Sequence, residues 1–139
     1  MAGDRADEVI DWLLEGDVAV AYLTTRDLLH HDEPHLRQRI ATEGLGAALL
    51  AARRPDGHWG RGFYQPKWTS THYTLLELRN LGLSPDNQAA GESVRLVLAE
   101  NKVRDGGVMP NPRSAASETC INGMALNYAS YFGASEAGL

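Results

Sequence analysis

Residues 53–83 read "RRPDGHWGRGFYQPKWTSTHYTLLELRNLGL" and combine a tight turn with a helix. Pro55 and Gly57 supply the restricted and the positive φ values that a sharp reversal of the chain requires. From Ser70 onward, leucines recur at spacings that give a helix a broad apolar face, and Gly82 is typical of a helix end. The stretch therefore predicts a turn, an aromatic-rich loop and then a buried helix.

Helical patterns also fill the rest of the chain. No run of alternating β-branched and aromatic residues indicates a strand, so we predict an all-α fold. Helices are expected over residues 6–16, 18–29, 34–44, 45–54, 70–83, 84–101 and 118–133. The segment after Gly44 is either a separate fourth helix or a continuation of the third. Asp17 is expected to cap the second helix.

Size and charge limit the classes of function. The 139 residues fit one domain, predicted over 1–139, and the net charge of −5 provides no basic face for nucleic acid. The single cysteine, Cys120, cannot form an internal disulfide. The first residues are acidic, unlike a signal peptide, and the apolar stretches are shorter than a membrane helix. We expect a cytoplasmic protein with no membrane span.

Two turns of the chain are alike. Asp56-Gly57 and Asp105-Gly106 lie 49 residues apart, and each follows one helix and precedes another. Thr71-His72 and Thr119-Cys120 lie 48 residues apart and are expected at equivalent places in two buried helices. The helix containing "AVAYLTTRDLL" is interpreted as an earlier copy without its turn. This period of about 50 residues predicts helical-hairpin repeats, about three in all.

The two turns also carry a resemblance to a known family. "PDGHWG" and "RDGGVM" are similar to the Q-x-x-x-D-G-x-W motif of the terpenoid cyclase, squalene-hopene cyclase and protein prenyltransferase superfamily. Its members form an α/α toroid of helical hairpins around a central apolar cavity. The resemblance covers most of residues 8–133 and implies that Trp59 braces a helix junction. It departs from the motif at Ala52 and Asn101, which replace Gln, and at Val108, which replaces Trp.

The resemblance has consequences for assembly and for chemistry. A full toroid needs about twice the hairpins present here, so we expect self-association or a missing second half. The Asp-rich acid segment of class II cyclases is absent from the sequence, and that activity is not expected. Protein prenyltransferases bind zinc through Asp, Cys and His; Cys120 and His72 match two of these types, and Glu118 is a conceivable third. The favoured alternative is that both are packing residues, so no metal is predicted and the cofactor is unknown.

Other titratable residues have structural interpretations. His31 and His35 have the spacing of a helical metal pair, but Pro34 starts the helix between them and favours a solvated loop that also contains His30. His58 is expected to be exposed in its turn. Asp56 and Asp105 would serve as general acids if buried, but an Asp that precedes Gly in a turn more often accepts hydrogen bonds from nearby backbone.

The functional prediction rests on aromatic and apolar residues near the starts of the buried helices. The predicted ligand-binding residues are Trp68, His72, Tyr73, Cys120 and Met124, within a wider aromatic set that adds Tyr64, Tyr128, Tyr131 and Phe132. Aromatic faces suit polyisoprene, and such a cavity is typical of a small-ligand site. The sequence thus predicts a prenyltransferase-like or cyclase-like protein that binds an isoprenoid or other apolar ligand. The alternative is a non-catalytic helical-repeat module that binds a protein or small ligand; whether the chain is an enzyme is left open.

Overall fold

The computed structural model describes the backbone of residues 2–133 and the side chains of residues 5–133. The all-α prediction is confirmed. The helices are α1 (Ala2–Leu14), α2 (Val18–Asp27), α3 (Pro34–Arg39), α4 (Gly44–Ala51), α5 (Thr71–Asn80), α6 (Gln88–Glu100) and α7 (Thr119–Tyr131), with a short 3₁₀ turn over Lys67–Thr69. Within residues 2–133 the nearest feature to a strand is an isolated bridge between Lys102 and Val108. No helix of the described part is long and apolar enough to cross a membrane.

Each segment predicted to be helical contains a helix, and most of the helices are shorter than predicted at their ends. α3 and α4 are separate helices, so the alternative of one continuous helix is wrong; Gly44 adopts a positive φ of 61° where the chain changes direction. α6 begins at Gln88 because the Asn87 side chain caps it by accepting the backbone N–H of Ala90 at 3.0 Å. Local capping by Asn87 therefore fixes the start of α6.

The chain divides into two compact units. The first comprises residues 1–51 and 80–84, and the second comprises residues 52–79 and 85–139. The prediction of a single domain over 1–139 stays a prediction, as does the arrangement of hairpin repeats in a toroid.

In the first unit α2 is central: it packs against α1, α3 and α4. The Asp17 carboxylate caps α2, as predicted, by accepting the N–H of Ala19 at 2.8 Å, and its other oxygen accepts the N–H of Leu45 at 2.8 Å at the start of α4. A side chain at Gly44 would collide with this carboxylate. One carboxylate therefore joins the N-termini of two helices, and only glycine fits beside it.

Tyr22 of α2 holds residues 80–84 in the first unit. Its ring is buried, and the positive φ of 81° at Gly82 brings the backbone against that ring. Arg37 donates from Nε to the carbonyl of Gly82 at 3.2 Å, and its guanidinium lies 5.7 Å from the centre of the Tyr22 ring. This contact combines a hydrogen bond with a cation–π interaction.

The second unit contains α5, α6 and α7 with both Asp-Gly turns, and α6 packs against α7. Its buried apolar side chains come from all three helices, as their amphipathic patterns require. They include Leu75, Leu78, Val94, Val97, Ile121, Ala125 and Tyr128.

The two Asp-Gly turns share one hydrogen-bond pattern. In the first, the N–H of Arg54 donates to the carbonyl of His58 at 2.8 Å, and the N–H of His58 donates to the Asp56 carboxylate at 3.1 Å. In the second, the bonds from Val103 to Gly107 and from Gly107 to Asp105 measure 2.8 and 3.1 Å. Gly57 and Gly106 have φ values of 87° and 91°. The similarity predicted from the sequence is therefore confirmed for the turns themselves.

A polar side chain on the following helix clamps each turn. The Thr71 hydroxyl accepts the N–H of the buried Trp59 at 3.0 Å. The Asn122 amide accepts the N–H of Val108 at 2.8 Å and donates to the carbonyl of Val108 at 3.1 Å. Both clamps satisfy backbone groups that would otherwise be buried without partners. They place the residue at the Trp position of each turn against the start of α5 or α7.

His58 extends the first clamp, and the prediction that it is exposed is wrong. The side chain is buried, with Nδ1 2.9 Å from the Thr71 hydroxyl and Nε2 2.9 Å from a Glu100 carboxylate oxygen. A carboxylate only accepts hydrogen bonds, so Nε2 of His58 donates to Glu100. The turn is thus joined to α5 and to the end of α6.

Trp59→Ala should destabilise the second unit by about 3–5 kcal/mol because the ring is 2 % exposed and its removal leaves a large cavity. Urea unfolding followed by circular dichroism measures the loss. Trp12→Ala is the matched control, since that ring is 71 % exposed. Equal effects of the two substitutions would remove the bracing role of Trp59.

Thr71→Val should cost about 1–3 kcal/mol, because it leaves the buried N–H of Trp59 without an acceptor while nearly preserving side-chain volume. Thr71→Ser keeps the hydroxyl and should retain most of the stability. Chemical denaturation of both variants provides the measurement. A valine variant as stable as the serine variant would contradict the clamp.

Candidate functional site

The candidate site lies in the second unit, where the loop of residues 61–70 meets the first turn of α5. Two backbone bonds fix this loop: the N–H of Thr71 donates to the carbonyl of Gly62 at 3.2 Å, and the N–H of His72 donates to the carbonyl of Phe63 at 2.9 Å. These N–H groups belong to the helix start, where no intrahelical acceptor exists. Capping of α5 by the loop therefore brings the loop's aromatic residues to His72.

His72 is the buried polar group of the site. Its side chain is 0 % exposed, and Nδ1 lies 3.1 Å from the hydroxyl of Tyr128 on α7. The other ring nitrogen, Nε2, is buried without a hydrogen-bond partner. Burial lowers the pKa of His72 to about 4, so the imidazole is neutral near pH 7.

Four aromatic rings surround this imidazole. The distances between ring centres are 5.1 Å to Phe63, 5.6 Å to Tyr64, 5.1 Å to Tyr73 and 5.6 Å to Tyr128. Three of the contacts are edge-to-face, a favourable arrangement for aromatic pairs. We call His72 and these four rings the aromatic cluster.

The outer side of the aromatic cluster is open to solvent. Tyr64 and Tyr73 are partly exposed, and their hydroxyls lie 3.1 Å apart. Trp68 is 73 % exposed, with its ring centre 4.9 Å from that of Tyr73, and Lys67 Nζ lies 4.8 Å from the Trp68 ring. An exposed tryptophan therefore continues the cluster to the surface.

The hydroxyl of Tyr64 is held neutral. Its hydrogen bond with Tyr73 and its partial burial raise the pKa of Tyr64 to about 12. Burial also raises the pKa of Tyr128. At neutral pH the site presents neutral hydrogen-bonding groups among apolar rings.

The predicted ligand residues are only partly brought together. Trp68, His72 and Tyr73 form a continuous set of rings, as the distances above show. Met124 is half-buried on α7, and Cys120 is exposed. The cavities described for the chain, of about 490, 360 and 290 Å³, are lined by other residues. A cavity shared by all five residues stays a prediction.

The predicted equivalence of His72 and Cys120 is confirmed for their place at the start of a helix and is wrong for their burial. α5 and α7 both begin at the predicted threonine, but Thr71 and His72 are buried whereas Thr119 and Cys120 are exposed. The clamps explain the difference. The N–H of Trp59 donates to the side chain of Thr71, whereas the N–H of Val108 donates to the side chain of Asn122. Relative to its clamp residue, α7 begins about one turn earlier than α5.

The other titratable residues singled out from the sequence are Cys120, Glu118 and the two turn aspartates. Among the described residues no group of three or more His, Cys, Asp or Glu could hold a metal, and Cys120 Sγ lies 3.9 Å from a Glu118 carboxylate oxygen. Asp105 is exposed and accepts the N–H groups of Gly107 and Ser117, and these backbone bonds lower its pKa. Both turn aspartates thus accept backbone bonds, as the favoured interpretation requires.

The histidines near Pro34 also lie as predicted. His31 is exposed outside α3, with Nε2 2.8 Å from a Glu33 carboxylate oxygen, and His35 is exposed on α3. Within the described residues, neither belongs to a group of three or more His, Cys, Asp or Glu side chains that could hold a metal ion.

Three members of the aromatic cluster were not among the predicted ligand-binding residues, and Tyr64 was placed only in the wider aromatic set. Phe63 was absent from the aromatic set, and Tyr128 was in that set without being assigned to His72. Phe63 precedes the helix start by a full loop, so no periodicity marks it. Tyr128 lies 56 positions from its partner His72, and only the packing of α7 brings them together.

A scan against protein-family models, a search of curated proteins and a search of solved structures each found no significant match. The assignment of a function therefore depends on the site itself.

Acid should destabilise the protein partly through His72. Its folded-state pKa of about 4 lies below its ordinary value of 6.5, so the unfolded chain binds more protons between these values. The His72 contribution is complete above about pH 6.5 and is lost on acidification by about 1.4 kcal/mol per pH unit, down to about pH 4.

The free energy of urea unfolding should be measured at several pH values for the parent and for His72→Phe. The variant cannot gain this proton, so its stability should fall less steeply with decreasing pH. Carboxylate titration is common to both proteins and cancels in the comparison. Parallel pH profiles would show that His72 does not carry the effect.

Proposed function

We propose that this chain binds an apolar ligand of the isoprenoid class that carries one polar group, at the aromatic cluster of the second unit. The observation that carries the proposal is the fully buried His72, whose Nε2 has no partner inside a shell of aromatic rings. A buried polar group without a hydrogen bond costs about 1–3 kcal/mol. A ligand that supplies the missing bond recovers that free energy.

The rings determine the rest of the ligand. Phe63 and Tyr128 are buried, whereas Tyr64 and Tyr73 are partly exposed and separate His72 from solvent. The latter two are held to each other by their hydroxyl pair. A ligand would reach the imidazole by separating the Tyr64 and Tyr73 side chains, because these two rings are the partly exposed members of the aromatic cluster. The hydrocarbon part of the ligand would then lie on Trp68 and Tyr73, whose faces offer an apolar surface.

The roles in this proposal are binding roles. Neutral His72 recognises a hydroxyl or similar group through Nε2, while Tyr128 fixes the ring through Nδ1. Trp68 supplies apolar contact at the entrance. No described group is assigned an acid or base step, so the proposal is a binding module. The resemblance of the two turn sequences to the terpenoid cyclase and prenyltransferase motif supports an apolar ligand.

Isothermal titration of the purified chain with farnesol and with the hydrocarbon farnesene tests this proposal. Farnesol should bind about tenfold more tightly, since one hydrogen bond to a buried group contributes about 0.5–1.5 kcal/mol. His72→Phe keeps an aromatic ring but removes the polar partner. It should abolish the preference for farnesol and leave farnesene binding nearly unchanged.

Trp68→Ala should weaken both probes, and Trp12→Ala is its matched control, because the two rings are 73 and 71 % exposed. Equal affinity of the parent for the two probes would overturn the role of His72. Loss of binding in the Trp12 variant alone would move the site out of the second unit.

A further inference from the structure

The first unit carries an apolar surface that the proposed ligand site does not explain. A groove of about 360 Å³ between α1 and α2 is lined by Trp12, Leu13, Glu15, Gly16 and Val20. Trp12 and Val20 are exposed, and Gly16 adds no side chain to the groove lining. Val9 lies one turn before Trp12 on α1 and is half exposed. We call these residues the α1 groove.

Acidic side chains line the same helix. Asp7, Glu8 and Asp11 are exposed on α1, and Glu15 is exposed directly after its last residue; Arg5 is the basic residue among the described side chains of α1. None of the four carboxylates has an ion-pair or side-chain hydrogen-bond partner in the described part of the chain. Glu8 and Glu15 flank Trp12 at helical spacings of four and three, so their charges border the apolar strip.

We propose that the α1 groove binds a basic amphipathic helix of a partner protein. The groove runs between two helices, a shape that accepts the apolar side chains of a third helix at spacings of three and four residues. One large apolar side chain fills the space over Gly16 between Trp12 and Val20. Lysine or arginine side chains on either side of it pair with Glu8 and Glu15, whose charges set the orientation and accelerate association.

Charge complementarity selects this occupant over a second copy of the chain. A symmetric dimer through this face would bring two acidic helices together, each with four carboxylates near the contact. Like charges placed opposite each other oppose association. A basic helix offsets the same carboxylates.

Fluorescence anisotropy with the full chain tests the proposal. The probe is a labelled synthetic helix of two leucine–lysine heptads, and the comparison peptide carries glutamate in place of lysine. We expect saturable binding of the basic peptide, no binding of the acidic one, and an affinity that falls with added salt because exposed charges are screened within about 10 Å at 0.1 M.

Trp12→Ala should weaken the basic peptide by about tenfold or more, as loss of a central aromatic anchor does, whereas Trp68→Ala should leave it unchanged. The double substitution Glu8→Gln, Glu15→Gln is compared with Glu77→Gln, Asp86→Asn, which removes two negative charges from the second unit. Only the first pair should weaken binding and reduce its salt dependence.

Equal effects of the two charge pairs would reduce the binding to attraction by net charge and overturn the proposal. Unchanged affinity in Trp12→Ala would do the same. Sedimentation equilibrium of the parent and of Trp12→Ala tests whether a second copy of the chain occupies the groove. A dimer that is lost on this substitution would assign the α1 groove to that second copy instead. The substitutions in the α1 groove are not expected to change farnesol binding, so the two proposals can fail separately.

Discussion

The hydrogen bonds of the Thr71 hydroxyl are the constraint on which the second unit depends. This one atom accepts the N–H of Trp59 and contacts His58, so the turn that precedes the loop is fixed to the first residue of α5. Since the turn and the helix start are fixed together, the ten residues between Gly60 and Thr71 must close as a loop over α5. That closure places Phe63 and Tyr64 beside His72.

The site follows from the same physics that stabilises the fold. Burial by the loop and by Tyr128 keeps His72 neutral and leaves one nitrogen without a partner. In an ordinary core such a nitrogen is a cost without a return. Here the nitrogen lies behind a pair of partly exposed tyrosines and near an exposed tryptophan, and the proposed ligand would supply its hydrogen bond. The α1 groove is different in kind, because its apolar residues are open and its neighbours are charged.

The Asp-Gly motif correctly predicted that the two turns have the same structure. Both Asp-Gly turns have the same backbone bonds and the same left-handed glycine, as the 49-residue spacing predicted. The repeat also predicted that α7 begins near Cys120, but the expected burial of Cys120 is wrong. The polar clamp moves from Thr71 to Asn122, and the burial of the two helices shifts with it. A repeat seen in a turn does not fix the register of the helix that follows, because the length of the loop between them is free to change.

The helices, their approximate boundaries and the turns follow from the sequence alone. Those features depend on local causes: φ restricted by Pro55, positive φ at Gly57, capping by Asp17 and the period of apolar residues. The burial of His58 and the single hydrogen bond of the His72 ring depend on tertiary packing. The reason is distance along the chain, since Glu100 and Tyr128 lie 42 and 56 positions from the histidines that they contact. Such pairings are set by how helices pack, which no local pattern encodes.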